Sequence, residues 1–333
     1  MKKSILVGLL FSSLALSSAH ARDQIKTVGS STVFPFSTVV AEKFGKTSNF
    51  KTPIIESTGT GGGMKLFCKG VGVEHPDISN ASRAIKKSEL KKCKKAGVTP
   101  IEVKVGYDGI VVANNKFGDK LSVTRDQLYR ATAKEVVVDG KFVVNPYKKW
   151  SDIDPSLPDY KIEVLGPPPT SGTRDAYVEL VQHKACKKLG IKKKGPDGYK
   201  ERCSAVREDG GYIEAGENDN LIIHKLGADK RRFGIFGFSF LDENTDKVQG
   251  VTIDGVYPKF EDIASGEYPV SRPLFFYVKK EHLEDVRGLR EYVKFFINKR
   301  MIGEEGVTVE KGLIPLPEDE YKSMTERVLA EIK

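Results

Sequence analysis

Familiar catalytic signatures are missing from this chain of 333 residues. It has no G-x-S-x-G elbow and no H-E-x-x-H, so neither a hydrolase nucleophile turn nor a zinc-protease helix is written locally. Gly45-Lys46-Thr47 ends like a phosphate-binding loop, but Val40 stands where the first glycine must be. Gly59 to Gly63 miss G-x-G-x-x-G because the sixth position is Met64. Cysteine is scarce at 4 residues and histidine at 5. No C-x-x-C occurs, and His75, His183, His224 and His282 lack ligand spacing, so no metal site is expected. The acids show no paired spacing that marks a general acid and base. A dyad assembled from distant residues stays open.

Other shortages bear on class. No apolar run after the first residues approaches the roughly 20 that a spanning helix needs. Hydrophobic residues at 39% and charged residues at 30% exclude a disordered or collagen-like chain. The length suggests two domains. Lys plus Arg number 54 against 45 acids, a net +9, and the densest runs are Lys86 to Lys95 and Lys187 to Lys194. Neither run contains an aromatic residue to stack on bases, so no nucleic-acid partner is expected. The plain reading of both is a solvated helix face.

The start of the chain reads as a targeting segment. Met1-Lys2-Lys3 is basic, Ser4 to Ser18 is a short apolar core, and Ala19-His20-Ala21 is a small-x-small cleavage pattern. Residues 1–21 are therefore expected to be a signal peptide. Removing these 21 residues from 333 leaves 312, and the loss of Lys2 and Lys3 takes the charge from +9 to +7. No Cys near the cut suggests a lipid anchor, so a soluble periplasmic protein is expected. In that oxidising compartment Cys68, Cys93, Cys186 and Cys203 favour disulfides. Three connectivities are open, and the sequence-local one, Cys68–Cys93 and Cys186–Cys203, is the expectation.

One pattern recurs three times. Ile25 to Val28 is β-like, then comes Gly29-Ser30-Ser31-Thr32, then helical spacing of Phe36, Val39, Val40 and Phe44, with Pro35 suited to a first turn. Thr52 to Ser57 leads into Gly59-Thr60-Gly61-Gly62-Gly63 and a helix. Tyr160 to Leu165 leads into Pro169-Thr170-Ser171-Gly172-Thr173 and another. Strand, hydroxyl-rich turn and helix start together present N–H groups and hydroxyls at a positive helix end, which suits an anion. An ordinary N-cap explains any single copy equally well. Arg174 beside the third turn, Arg83 after Asn80-Ala81-Ser82, and Asp108 in Gly106-Tyr107-Asp108-Gly109 are charged candidates. Surface ion pairing is their plain alternative.

Gly29 to Pro35, the Gly59-to-Lys65 loop, Asn80-Ala81-Ser82-Arg83 and Ser171-Gly172-Thr173-Arg174 occur in an order that resembles PstS-type periplasmic phosphate-binding proteins of ABC transporters. Asn218-Asp219-Asn220, Gly234 to Phe238, Ser265 to Pro269 and Arg272-Pro273-Leu274 extend the resemblance over nearly the whole chain after the leader. It implies an α/β fold of two lobes joined by two crossing strands, with phosphate shut between them. The lobes are expected at 22–112 with 246–333, and at 113–245. It implies phosphate contacts at Ser31, Thr32, Thr60, Ser171, Gly172 and Thr173, and Ser82, Arg83, Asp108 and Arg174 are expected beside them from the residues themselves. The expected protein is a monomeric receptor, not an enzyme, without cofactor, serving an ABC permease. The chain departs from the family twice. Arg83 stands where many members have an acid, and Pro167 where many have an Arg. Asp108 is therefore expected to accept the phosphate proton, and Arg174 to replace the missing Arg. Rival readings are a receptor for sulfate or arsenate, an exported phosphatase, and an adhesion protein.

Overall fold

The computed structural model describes residues 22–193, 195, 198–216 and 218–333, so the expected signal peptide lies outside the described residues. Strands β1 (Lys26–Gly29), β2 (Ile54–Ser57) and β3 (Ile78–Ala81) are short and parallel, in the order β2-β1-β3. Each leads into a helix, the crossover that parallel pairing requires. β4 (Pro100–Asn115) follows, then β5 (Ser122–Val123) and the hairpin β6 (Glu135–Val138) with β7 (Lys141–Val144). β8 (Val164–Gly166), β9 (Tyr212–Glu214) and β10 (Phe233–Gly237) make a second parallel group, ordered β10-β8-β9. β11 (Val248–Gly250), β12 (Thr252–Ile253) and β13 (Ser271–Lys279) complete the strands.

The main sheet has nine strands in the order β2-β1-β3-β13-β4-β10-β8-β9, with β11 also paired to β4. β4 joins the halves. Its residues Pro100 to Gly109 pair antiparallel with β13, and Ile110 to Asn114 pair with β10. Ile110, Val111, Val112 and Ala113 are fully buried, the continuous apolar run of a strand covered on both faces. The chain returns between β12 and β13. The expectation placed 246–333 in the first lobe, but β11 pairs with Ala113 to Asn115 and β12 with Ser122 and Val123. Residues 248–253 therefore pair with the second half. A sheet partner depends on residues far along the chain, which local patterning does not reveal.

The C-terminal segment packs on the first lobe. Phe44, from the helix Phe34–Thr47, meets Tyr292 at 5.2 Å and Phe295 at 5.5 Å. Two disulfides, Cys68–Cys93 and Cys186–Cys203, follow the sequence-local pairing, each within a small satellite core. No helix among the described residues is long and apolar enough to cross a membrane.

Candidate functional site

The site lies where β4 passes from one half to the other. Gly29 ends β1 at φ 133°, and a Cβ there would fall 2.2 Å from the Asn80 carbonyl oxygen, so only glycine fits. Ser30 N then donates to Asn80 O at 3.0 Å, and Phe34 N to Ser30 O at 3.0 Å. These bonds aim Ser31 and Thr32 at the cleft, just before the helix Phe34–Thr47, which carries Pro35 in its first turn. On the facing side Ser171 caps the helix Gly172–Tyr177, its Oγ accepting from Thr173 N at 3.2 Å. Asn218 caps the helix Asp219–Ala228, accepting from Asn220 N at 3.1 Å. These three helix starts, with Asp108, Gly237, Phe240 and Lys311, line a cleft of about 730 Å³.

The two sides touch at several points. Ser31 Oγ donates to Asp175 Oδ2 at 2.5 Å. A Cβ on Gly172 would lie 3.0 Å from Thr32 Cα and 3.3 Å from Ser31 O. Arg272, on β13, sits directly opposite Asp108 in the antiparallel register. Its guanidinium donates to Asp108 Oδ2 at 3.2 Å, Thr32 Oγ1 at 2.6 Å and Glu179 Oε2 at 2.7 Å. One fork of donors thus holds the crossover strand, the first helix start and the helix opposite. Burial pushes the Asp108 carboxyl above the usual aspartate range, and the Arg272 charge opposes that rise. Asp219 has no such cation within ion-pair distance among the described residues. Its Oδ2 accepts from Gly237 N at 3.2 Å, and burial pushes its carboxyl up to about 6.

Of the residues expected from sequence, the fold brings Ser31, Thr32, Asp108, Ser171, Gly172 and Thr173 to this cleft. Four lie outside its lining. Thr60 and Ser82 bond each other, Oγ to Oγ at 3.1 Å, and Ser82 N donates to Thr60 Oγ1 at 3.1 Å. Arg83 grips Glu89 with both nitrogens, at 2.9 and 2.8 Å. Arg174 turns away, donating to Pro167 O at 3.0 Å with its guanidinium 4.6 Å from the Tyr212 ring centre. Successive helix residues point about 100° apart, so the neighbour of Thr173 need not face the same side. Sequence reasoning missed Arg272, Asp175, Glu179 and Asp219 as contributors. The signal for Arg272 and Asp219 lay only in the family resemblance.

The arrangement suits a small oxyanion. Helix-start amides and hydroxyls offer donors, a buried guanidinium lies beneath them, and buried carboxylates stand ready as acceptors. A two-lobed α/β scaffold with such a cleft at its crossover defines a solute-binding receptor fold. The chain matches the PBP superfamily domain over residues 15–300. It is 31% identical to protein SphX of Synechococcus elongatus, covering 90% of this chain and 79% of that protein. It is also 31% identical to the phosphate-binding protein PstS of Staphylococcus haemolyticus, covering 90% of this chain and 84% of that protein. The crystal structure of a "possible phosphate binding protein" from Planctomyces limnophilus superimposes with TM-score 0.76 at 29% identity, covering 94% of this chain and 99% of that one. The chain belongs to the PBP superfamily, among the PstS-type phosphate-binding proteins.

Proposed function

We propose that this protein is an exported receptor that closes two lobes around inorganic phosphate and delivers it to a membrane ABC permease. One observation carries the reading: the Ser31–Thr32 and Ser171–Thr173 helix starts line one cleft with the buried Asp108, and Arg272 bonds both Asp108 and Thr32. Two helix starts supply donors to oxygens from both sides, and closure is a hinge motion at the crossover strands. Asp108 accepts the proton that phosphate retains near neutral pH and sulfate does not. Selectivity then comes from a carboxylate that repels the fully deprotonated ion. The first lobe comprises 22–109 and 271–333, the second 110–253, with 254–270 as the return. Cleavage after Ala21 releases a periplasmic chain that works as a monomer, since one chain carries the whole cleft. Its role is capture and release, not catalysis, as for the binding proteins it resembles.

Titration calorimetry on anion-stripped protein, with phosphate, sulfate and arsenate at fixed salt, tests this. The reading expects one tight phosphate site with sulfate silent. Phosphate at 100 times its dissociation constant should add about 2.7 kcal/mol of stability. Sulfate binding as tightly would reassign the ligand, and no heat with any anion would reject a receptor for these oxyanions. Turnover of a chromogenic phosphate ester that Ser171→Ala abolishes would favour a phosphatase.

A further inference from the structure

Two carboxylates lie on the helical segment that starts at Ser171, and both reach the opposite lobe. Asp175 belongs to the helix Gly172–Tyr177, and Glu179 to the π-helical turn Val178–Gln182 that continues it. Turns of this kind recur at functional sites. Asp175 Oδ2 accepts from Ser31 Oγ at 2.5 Å, and Glu179 Oε2 accepts from the Arg272 guanidinium at 2.7 Å. Neither carboxylate is among the residues that line the cleft, whereas Ser171 to Thr173 are. Asp175 and Glu179 thus touch protein, not ligand.

The contacts form one stripe. Gly172, Asp175 and Glu179 stand at i, i+3 and i+7, which is a single face of a helix. At its first point the two backbones approach so closely that a Cβ on Gly172 would lie 3.0 Å from Thr32 Cα. At the other two points the contact is a hydrogen bond to a carboxylate, the stronger kind.

Both donors are fixed within their own lobe before they cross. Arg272 spends Nε on Asp108 and Nη2 on Thr32, so Nη1 is held towards Glu179 in one orientation. Ser31 follows directly on Ser30, whose N donates to Asn80 O at 3.0 Å and whose O accepts from Phe34 N at 3.0 Å. A serine hydroxyl has one proton to give, and Asp175 takes it. A hinge motion that parts the lobes must break both bonds. Contacts made in only one of two states shift the balance towards that state.

We propose that Asp175 and Glu179 form an interlobe latch, which grips Ser31 and Arg272 and sets how slowly the closed receptor releases phosphate. The inference rests on the phosphate-receptor reading and adds two positioning residues to it. A latch made after capture acts on dissociation more than on encounter. Simple charge repulsion has the opposite sign. A carboxylate that only repelled the bound dianion would, on removal, slow its release.

The test uses the full processed chain and the variants Asp175→Asn, Glu179→Gln and Ser31→Ala. Release is followed by chasing bound radiolabelled phosphate with unlabelled phosphate, equilibrium dialysis gives the affinity, and the two give the association rate. Asp175→Asn should speed release roughly tenfold, as for a lost hydrogen bond to a charged group. Glu179→Gln should speed it about threefold, because that side chain is 57% exposed. The double variant Ser31→Ala with Asp175→Asn should release no faster than the faster of its two parents, since both break one bond. Anion-free melting midpoints should hold, because opening is not unfolding. If Asp175→Asn lowers the midpoint, Glu179→Gln alone carries the release comparison. Faster release matched by faster association also supports the latch, as one that shuts the receptor before phosphate arrives. Unchanged or slower release, with phosphate still bound tightly, overturns the latch and leaves the receptor standing. Effects of Ser31→Ala and Asp175→Asn that multiply also overturn it. No phosphate binding by the unaltered chain overturns the receptor reading itself.

Discussion

Replacing Asp219 with Asn should stabilise the anion-free protein at neutral pH and leave it almost unchanged near pH 4. Asp219 opens its helix at the cleft wall, only 8% exposed, with Gly237 N at 3.2 Å as its hydrogen-bond donor. Burial raises its carboxyl from an ordinary 3.8 to about 6. The folded state therefore holds this proton more tightly than the unfolded chain does. The group's favourable contribution is complete below the unfolded value and is lost as pH rises through about 6. A difference of about two pH units corresponds to about 3 kcal/mol. Asn keeps an oxygen for Gly237 N and never ionises, so it escapes that loss. Urea unfolding of both proteins without anion, at several pH values from 4 to 7.5, reads the difference. The gap should grow from near zero to about 3 kcal/mol across that range. A gap that is constant with pH, or a variant weaker at pH 7.5, would refute the reasoning.

Gly172→Ala would place a Cβ 3.0 Å from Thr32 Cα, so the lobes must part slightly. Phosphate affinity should fall at least about tenfold while the anion-free melting midpoint holds, because the clash acts on closure. Arg272→Met leaves Asp108 buried and unpaired, and thermal unfolding at neutral pH should register a loss of about 3 to 5 kcal/mol. Asp108→Asn removes the proposed proton acceptor, and calorimetry should find the phosphate-to-sulfate affinity ratio reduced at least about tenfold. Reducing both disulfides, which close separations of 25 and 17 residues, should each cost about 3 kcal/mol, seen as a lower midpoint with reductant.

Much of the fold was legible because the chain punctuates itself. Gly29-Ser30-Ser31-Thr32 and Ser171-Gly172-Thr173 are helix starts, as their hydroxyls and Pro35 indicate. The turn at Thr60 looks the same in sequence, yet it follows β2, the outermost strand of the sheet, and its hydroxyl is spent on Ser82. Its helix, Thr60–Phe67, packs beside Gly29 and Ser79, and the pairing of Thr60 with Ser82 joins segments that no local pattern relates. Arg272 entered only as part of the family resemblance, and its place in the site was hidden for the same reason. Its partner Asp108 lies 164 residues earlier, and only the antiparallel register sets them opposite each other. Arg83 had a legible explanation, since Glu89 completes the start of the helix Lys87–Lys95 and offers both oxygens to the guanidinium.

The most direct measurement is a crystal structure of the processed protein grown with phosphate and without sulfate. The account predicts one phosphate between the two helix starts, accepting bonds from Ser31 or Thr32 on one side and from Ser171 to Thr173 on the other, with Asp108 beside it. Phosphate bound instead at Thr60 and Ser82, with the cleft between the helix starts empty, would contradict it.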